Sequence, residues 1–146
     1  MRVVVQRVLK ASVSVEGNVV GRIGAGLLVL LAAADDDGPQ QVRWMAEKLS
    51  GLRIFSDETG KMNLSLGQVG GEMLIVSQFT LYGDCRKGRR PSYAAAASPE
   101  KAGILYADFV ARIRDLGVSV QEGIFGAMMQ VELLNDGPVT LIVDSP

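Results

Sequence analysis

Histidine is missing from this chain, and cysteine occurs only once, as Cys85. Without histidine the protein cannot build a Ser-His-Asp or Cys-His nucleophile system, because both depend on an imidazole base. A single cysteine also cannot supply a zinc site of the common cysteine and histidine types. An enzyme with this composition must move protons through carboxylates, backbone groups, water or the substrate itself.

Long apolar runs are also missing. A membrane-spanning helix needs roughly 20 apolar residues, whereas the longest run here, at residues 26–34, has the length of a buried strand. The N-terminus lacks the apolar stretch and small-residue cleavage site of a signal peptide. Cys85 has no partner for an internal disulfide, which fits a reducing compartment. We therefore expect a cytoplasmic protein with no membrane partner.

The chain contains no GxGxxG and no Walker A motif, so nothing in it favours a nucleotide cofactor. Its carboxylates are scattered, and no pair has a spacing that argues for acid–base work. We expect no cofactor and no metal ion. With 146 residues, of which 48% are hydrophobic, the chain is long enough to bury a core. We expect one folded domain over residues 1–146.

Charge is nearly balanced, with a formal net charge of −1. This is not the balance of a general nucleic-acid binder, and we do not expect DNA as a partner. However, four of the fifteen basic residues lie within Arg86–Arg90. Such a run is most often a solvated loop. The alternative is a local patch that contacts the phosphates at one end of an RNA.

Hydrophobic periodicity predicts about eight short strands and two helices. The first helix is predicted to begin at Pro39, with Gly51 as the C′ residue just past its end. The second begins around Ser98–Pro99 and is ended by Gly117. The strands come in clusters rather than alternating with helices. That order favours an α+β fold over a doubly wound parallel sheet. We expect a mostly antiparallel, barrel-like sheet with two main helices. The strand-like runs from which this total is estimated are residues 3–9, 11–15, 19–23, 26–33, 52–55, 73–76, 118–123, 128–134 and 139–143.

Asn135–Thr140 places a Gly-Pro peptide between the last two predicted strands. Glycine has no side chain, and proline has no backbone N–H and a fixed φ, so this dipeptide presents bare and stiff backbone. Taken alone, the Asp-Gly pair inside it favours a hairpin turn.

Ser77–Thr80 adds two hydroxyls, an amide and an aromatic ring to the end of an apolar strand. Strand ends hold groups rigidly, as reaction sites require. The simpler interpretation is that the hydroxyls cap the strand end and Phe79 packs in the core. Gly123–Met129 mixes small and large apolar residues, and it either lines a pocket or bends a strand with Phe125 in the core.

Together these segments closely resemble the D-aminoacyl-tRNA deacylase family, nearly from end to end. The two signatures of that family are the Ser-Gln-Phe-Thr segment and the Gly-Pro segment, and both are intact. Tyr93 stands where the family leads us to expect phenylalanine, which is a mild change. The resemblance is carried by Val5–Val8, Gly71–Glu72, Ser77–Asp84, Arg86–Gly88, Arg90–Ser92, Phe125–Met128 and Asn135–Thr140.

The resemblance implies a homodimer with its active sites at the subunit interface. Gly137–Pro138 would be a cis peptide that enters the partner's site and rejects L-aminoacyl-tRNA by steric clash. The implied reaction is hydrolysis of the ester between a D-amino acid and the 3′ end of tRNA, assisted by the substrate's 2′-hydroxyl. Glycyl-tRNA, which has no side chain to reject, should also be accepted. The implied catalytic residues are Ser77, Gln78, Phe79 and Thr80, with Phe125 in the adenosine pocket.

Two other functions are compatible with the residues alone. A non-catalytic module that binds RNA ends would bind tRNA without cleaving an ester. A small-molecule esterase with Ser77 or Thr80 as its nucleophile would act on simple esters without tRNA, although no histidine is available to activate either hydroxyl.

Overall fold

A computed structural model describes residues 1–146. It contains eight β-strands, two α-helices and one short 3-10 helix. The strands are β1 Arg2–Val15, β2 Asn18–Ile23, β3 Gly26–Ala32, β4 Phe55–Ser56, β5 Met62–Leu64, β6 Glu72–Ser77, β7 Ser119–Glu122 and β8 Gln130–Asp144. The helices are α1 Pro39–Gly51, the 3-10 helix Phe79–Tyr82, and α2 Pro99–Asp115.

Strand β1 organises the main sheet because it pairs with three other strands. Its first half pairs with β3, its second half pairs with β2, and β8 runs along its opposite edge. All three pairings are antiparallel, while β3–β6 and β6–β7 are parallel. The strand order is β2-β1-β3-β6-β7, with β8 on β1. The α+β prediction of a mostly antiparallel sheet with two main helices is confirmed.

The sheet curls until its two ends approach each other, which gives the barrel-like shape. Gly21 of β2 lies so close to β7 that an added Cβ would be 2.7 Å from the carbonyl oxygen of Glu122. A glycine is needed there because a side chain would push the two strands apart. The curl gives the sheet an inner face and an outer face, each of which needs its own apolar side chains.

Two apolar clusters fill these faces. The helices cover one face with apolar residues spaced three or four positions apart, including Val42, Met45 and Leu49 of α1 and Phe109 and Ile113 of α2. β3 is buried on both sides, because residues 27, 29 and 31 join the helix-side cluster and residue 28 joins the other one. The smaller cluster consists of Val8, Ala11, Val13, Ile23, Leu28, Leu74 and Val76.

The helix starts agree with their capping signals. Pro39 opens α1, and the Ser98 hydroxyl accepts the backbone N–H of Lys101 at the start of α2. Gly117 has a φ of +83°, as a residue just after a helix often does. Gly51 differs from the prediction, because it is the last residue of α1 and extended Leu52 follows as the cap.

Strand bounds differ from the sequence-based prediction in three places. The two predicted strands at 3–9 and 11–15 form the single strand β1, because its pairing with β8 continues from Lys10 after a register shift at Leu9. The strand predicted at 52–55 is the two-residue strand β4, and β5 was not predicted. The two predicted C-terminal strands belong to one strand, β8. Neither helix is both long enough and apolar enough to cross a membrane.

Gly26 provides a test of the close strand packing. It pairs with Val8 of β1 and with Glu72 of β6, and an added Cβ would lie 1.9 Å from the Glu72 carbonyl oxygen. We expect Gly26→Ala to lower the free energy of unfolding by about 3 kcal/mol or more, because backbone must move to admit the methyl group. Chemical denaturation measures this change.

Gly51→Ala is the matched control for Gly26→Ala. No atom lies within 4 Å of a Cβ at Gly51, and the residue is helical, so the free energy of unfolding should stay within about 1 kcal/mol of the wild-type value. Equal stability of the two variants would contradict the account of the β3–β6 contact.

Candidate functional site

The Ser77–Thr80 segment begins where buried strand β6 ends. Ser77 pairs with Leu31 of β3, and the next backbone N–H, that of Gln78, donates to the Leu31 carbonyl at 2.7 Å. The chain then turns into the 3-10 helix, and the Gly83 N–H closes the turn on the Thr80 carbonyl at 2.9 Å. The backbone of the segment is therefore fixed at both ends.

Phe79 and Thr80 of this segment are exposed, while Ser77 and Gln78 are half-buried. The Gln78 amide donates to the Thr80 hydroxyl, which orients both groups. Phe79 is 56% exposed, so the alternative in which it packs in the core is wrong. Tyr93 supports the ring edge-on, with ring centroids 5.1 Å apart and an interplanar angle of 70°. An exposed ring held in this way can stack on a flat ligand such as a nucleobase.

Phe125 lies at the same end of β6. Its ring packs on α2, 5.8 Å from the Tyr106 ring centroid and against Gly103, yet it remains 40% exposed. The Ile75 carbonyl accepts both the Tyr106 hydroxyl at 2.9 Å and the Gly123 N–H at 3.1 Å. Burial raises the pKa of Tyr106, so its hydroxyl remains a donor. Phe125 is thus fixed to β6 at Ile75, and Ser77 lies two residues further along the same strand.

The Gly137–Pro138 segment interrupts β8 without reversing it. Residues on both sides of it pair antiparallel with β1, so the chain keeps its direction and the hairpin interpretation is wrong. Gln6 pairs with Thr140 and Val8 pairs with Asn135, which leaves four residues of β8 opposite the single Arg7 of β1. The extra residues bulge from the sheet. Gly137 and Pro138 are exposed, and the bond between them is cis.

Polar contacts to β1 hold the base of this bulge. The Asn135 amide donates to the Arg7 carbonyl at 2.9 Å and to the Val139 carbonyl at 3.2 Å. Nε of Arg7 lies 2.9 Å from Oδ2 of Asp136, as an ion pair without hydrogen-bond geometry. Nη1 of the same buried guanidinium donates to the Ile54 carbonyl at 2.6 Å. These contacts therefore hold the exposed backbone of Gly137–Pro138 in a fixed position relative to β1.

The two segments do not meet within one chain. Ser77 shares a row of the sheet with Leu31, Val3 and Val143, whereas Gly137–Pro138 lies beside Arg7. Four residues along β1 and three strand spacings across the sheet separate them, or about 13 Å and about 14 Å. No hydrogen bond or ion pair joins the two segments.

The Ser77–Thr80 segment contains no titratable side chain that could act as a general base. Tyr82, at the end of the 3-10 helix, has its pKa raised to about 12 by burial and by the negative charge of Asp37, so it stays neutral near pH 7. No cluster of three or more His, Cys, Asp or Glu side chains that could hold a metal ion is present.

Comparison with known proteins identifies the family. A family profile described as D-Tyr-tRNA(Tyr) deacylase matches residues 4–144. The chain belongs to this family. The D-aminoacyl-tRNA deacylases of Desulfitobacterium hafniense and Desulfatibacillum aliphaticivorans are each 61% identical to it over 145 residues. That alignment covers 99% of this chain and 97% and 99% of the respective relatives.

Two solved structures share the fold of this chain. A structure titled c-Myc DNA Unwinding Element Binding Protein is 40% identical, has a TM-score of 0.94, and aligns over 100% of this chain and 99% of its own. A probable eukaryotic D-amino acid tRNA deacylase, at 22% identity and a TM-score of 0.85 over 97% of both chains, shares the fold. The resemblance found in the sequence is confirmed, and the chain is a member of a hydrolase family.

Three residues that support the site were not predicted to do so. Tyr93 supports Phe79, Tyr106 supports Phe125, and Arg7 supports the Gly-Pro bulge. The sequence could have indicated a role for Arg7, because a charged residue at a buried position of an apolar strand is unusual. Tyr106 had none, since its place in the apolar stripe of α2 is what a core residue would show.

Proposed function

We propose that this protein hydrolyses the ester joining a D-amino acid to the terminal adenosine of tRNA and rejects the L-aminoacyl substrate. The observation that carries the proposal is the Gly137–Pro138 backbone, which is exposed and fixed on Arg7 in a chain of the deacylase family. It fills the space that an L side chain would need, while a D side chain points elsewhere. Selection is then by clash with the unwanted enantiomer. Glycine presents no side chain, so glycyl-tRNA is also accepted.

The second element of the proposal is a homodimer. The two segments are four rows apart in one chain, so Gly137–Pro138 acts on the Ser77–Thr80 segment of the partner. β8 supports this arrangement, because it pairs only with β1 and leaves a long outer edge open. Large apolar side chains are exposed on or next to this strand, including Met128, Leu134 and Ile142. A partner subunit would bury them.

The third element is the chemistry. Ser77, Gln78 and Thr80 hold the ester and the terminal ribose, and the backbone N–H groups at the start of the 3-10 helix stabilise the negative oxygen of the tetrahedral intermediate. Phe79 and Phe125 hold the adenosine between exposed rings. The neighbouring 2′-hydroxyl of the substrate assists the attacking water, since no protein base is present in the segment. Such an enzyme acts where charged tRNA is found, in the cytoplasm.

The direct test is deacylation of matched D-tyrosyl- and L-tyrosyl-tRNA by the purified protein, with a chelator present. We expect rapid release of D-tyrosine, no release of L-tyrosine, and measurable hydrolysis of glycyl-tRNA. Equal attack on both enantiomers would indicate an unselective esterase. Binding without any cleavage would favour an RNA-end-binding module instead.

Thr80→Ala separates substrate assistance from a protein nucleophile. The Thr80 hydroxyl is exposed and bonded only to the Gln78 amide, so its removal should lower the single-turnover rate on D-aminoacyl-tRNA by no more than about tenfold. Loss of a true nucleophile would cost on the order of 10⁴-fold or more. Thr80→Ser is the control, and an inactive alanine variant beside an active serine variant would contradict substrate assistance.

Gly137→Ala tests the bare-backbone surface without disturbing the fold. Within its own chain an added Cβ would meet only Oδ1 of Asn135, at 3.8 Å. Thermal stability should therefore be unchanged, while the methyl group should intrude on the partner's substrate and slow D-aminoacyl-tRNA turnover by about tenfold to a hundredfold. Gly67→Ala, where an added Cβ would meet no atom within 4 Å, is the control. Unchanged turnover in Gly137→Ala would rule out the proposed contact.

A further inference from the structure

Residues 85–91 form an exposed loop that the backbone closes at its base, and we refer to it as the basic loop. The Asp84 N–H donates to the Ser92 carbonyl at 2.8 Å, and the Ser92 N–H donates back to the Asp84 carbonyl at 3.0 Å. Gly88, at a φ of +67°, makes the turn between them. The loop is thus a pinned projection from the protein rather than a free tail.

The four basic residues of this loop are not equivalent. Arg86 is bound to Asp84 through two side-chain hydrogen bonds, at 2.9 Å from Nε to Oδ1 and 2.7 Å from Nη2 to Oδ2. This pairing lowers the pKa of Asp84 and raises that of Arg86. Lys87, Arg89 and Arg90 are exposed and make no ion pair with any carboxylate. Three uncompensated positive charges therefore lie within four positions of a chain whose net charge is −1.

The loop is attached directly to the candidate site. Tyr93, next to Ser92, is the residue whose ring supports Phe79. On the other side, Gly83 joins Asp84 to the 3-10 helix and lets the chain pass close to Tyr93. A Cβ at Gly83 would lie 3.0 Å from both the Thr80 carbonyl oxygen and the Tyr93 ring. The loop therefore lies beside Phe79, within reach of a nucleic-acid strand whose end stacks on that ring.

We propose that Lys87, Arg89 and Arg90 bind phosphates of the RNA strand that leads to the esterified 3′ end, while Arg86 holds the loop in shape through Asp84. The inference rests on the proposed function, because it takes the substrate to be an aminoacylated RNA. Phosphate contacts fix the position of a strand and carry no sequence information. The loop would thus hold many different tRNAs in one register, and it explains how a slightly acidic protein binds RNA.

A charge-removal experiment with two substrates tests this inference. The loop variant Lys87→Ala, Arg89→Ala, Arg90→Ala is compared with the control variant Arg43→Ala, Lys48→Ala, Lys61→Ala, whose residues are exposed and make no ion pair. The substrates are D-tyrosyl-tRNA and 3′-O-(D-tyrosyl)adenosine, which has no phosphate. kcat/KM is measured for each at several salt concentrations.

The loop variant should lose about tenfold to a hundredfold in kcat/KM on the tRNA, mainly through KM. Its plot of log kcat/KM against log salt should be shallower, with the magnitude of the negative slope reduced by about two to three, or about one for each lost phosphate contact. Its rate on the adenosine ester should equal that of the wild type, and the control variant should match the wild type on both substrates. Within the loop, Arg89→Gln should change the salt slope by about one, and Arg86→Gln by much less.

Equal rates of the loop and control variants on tRNA would overturn the inference. A loss of equal size on the adenosine ester would also overturn it, because the loop would then act on the site and not on phosphates. A wild-type protein inactive on both D-substrates would instead overturn the proposed function. In that case the affinities of the loop variant and the control variant for uncharged tRNA would be compared. The inference about the loop requires the loop variant to bind more weakly, and equal affinities would overturn it.

Discussion

The pairing of β8 with β1, and its interruption opposite Arg7, is the constraint on which the rest of the structure depends. The pairing extends along nearly the whole of both strands, and four residues of β8 face one residue of β1 at a single point. Asn135 and Asp136 tie the displaced backbone to Arg7, so that Gly137–Pro138 is held outside the sheet in a fixed place. A hairpin at this position would have left the same two residues in a mobile tip. The strand continues, and the bare backbone becomes part of a rigid surface.

The sheet also determines what this surface can reach. Ser77–Thr80 lies on a different row, at the end of β6, where Tyr93 and Tyr106 hold two exposed rings beside it. The Ser77–Thr80 and Gly137–Pro138 segments therefore lie at separate places on one chain. In the proposed dimer, a second copy would cover the open edge of β8 and bring one segment of each chain together. Selection and catalysis would then come from different subunits, and neither would need an imidazole base.

Local structure followed from the sequence because its signals are local. The two helices were predicted from apolar spacing, their starts at Pro39 and Ser98 from capping residues, and the buried strand β3 from a continuous apolar run. The hairpin prediction failed because its outcome depends on which strand each half of β8 pairs with, and β1 lies more than a hundred residues away. The contacts of Tyr93 with Phe79 and of Tyr106 with Phe125 could not be predicted either, because ring contacts between separate elements produce no periodic pattern in the sequence. The site residues themselves came from resemblance to the family, because hydroxyls and amides at a strand end are individually common.

The claim that each site combines two subunits can be tested most directly by complementation. One variant, Gly137→Ala, alters the segment that would enter the partner's site. The other, Ser77→Ala with Gln78→Ala, alters the segment that would receive Gly137–Pro138 of the partner. After both homodimers are shown to be impaired, the subunits are exchanged and D-tyrosyl-tRNA hydrolysis is measured. We expect recovery to roughly one quarter of wild-type activity, because half of the dimers are mixed and one of their two sites is intact. No gain on mixing would contradict it, since a site contained in one chain would remain defective in every dimer.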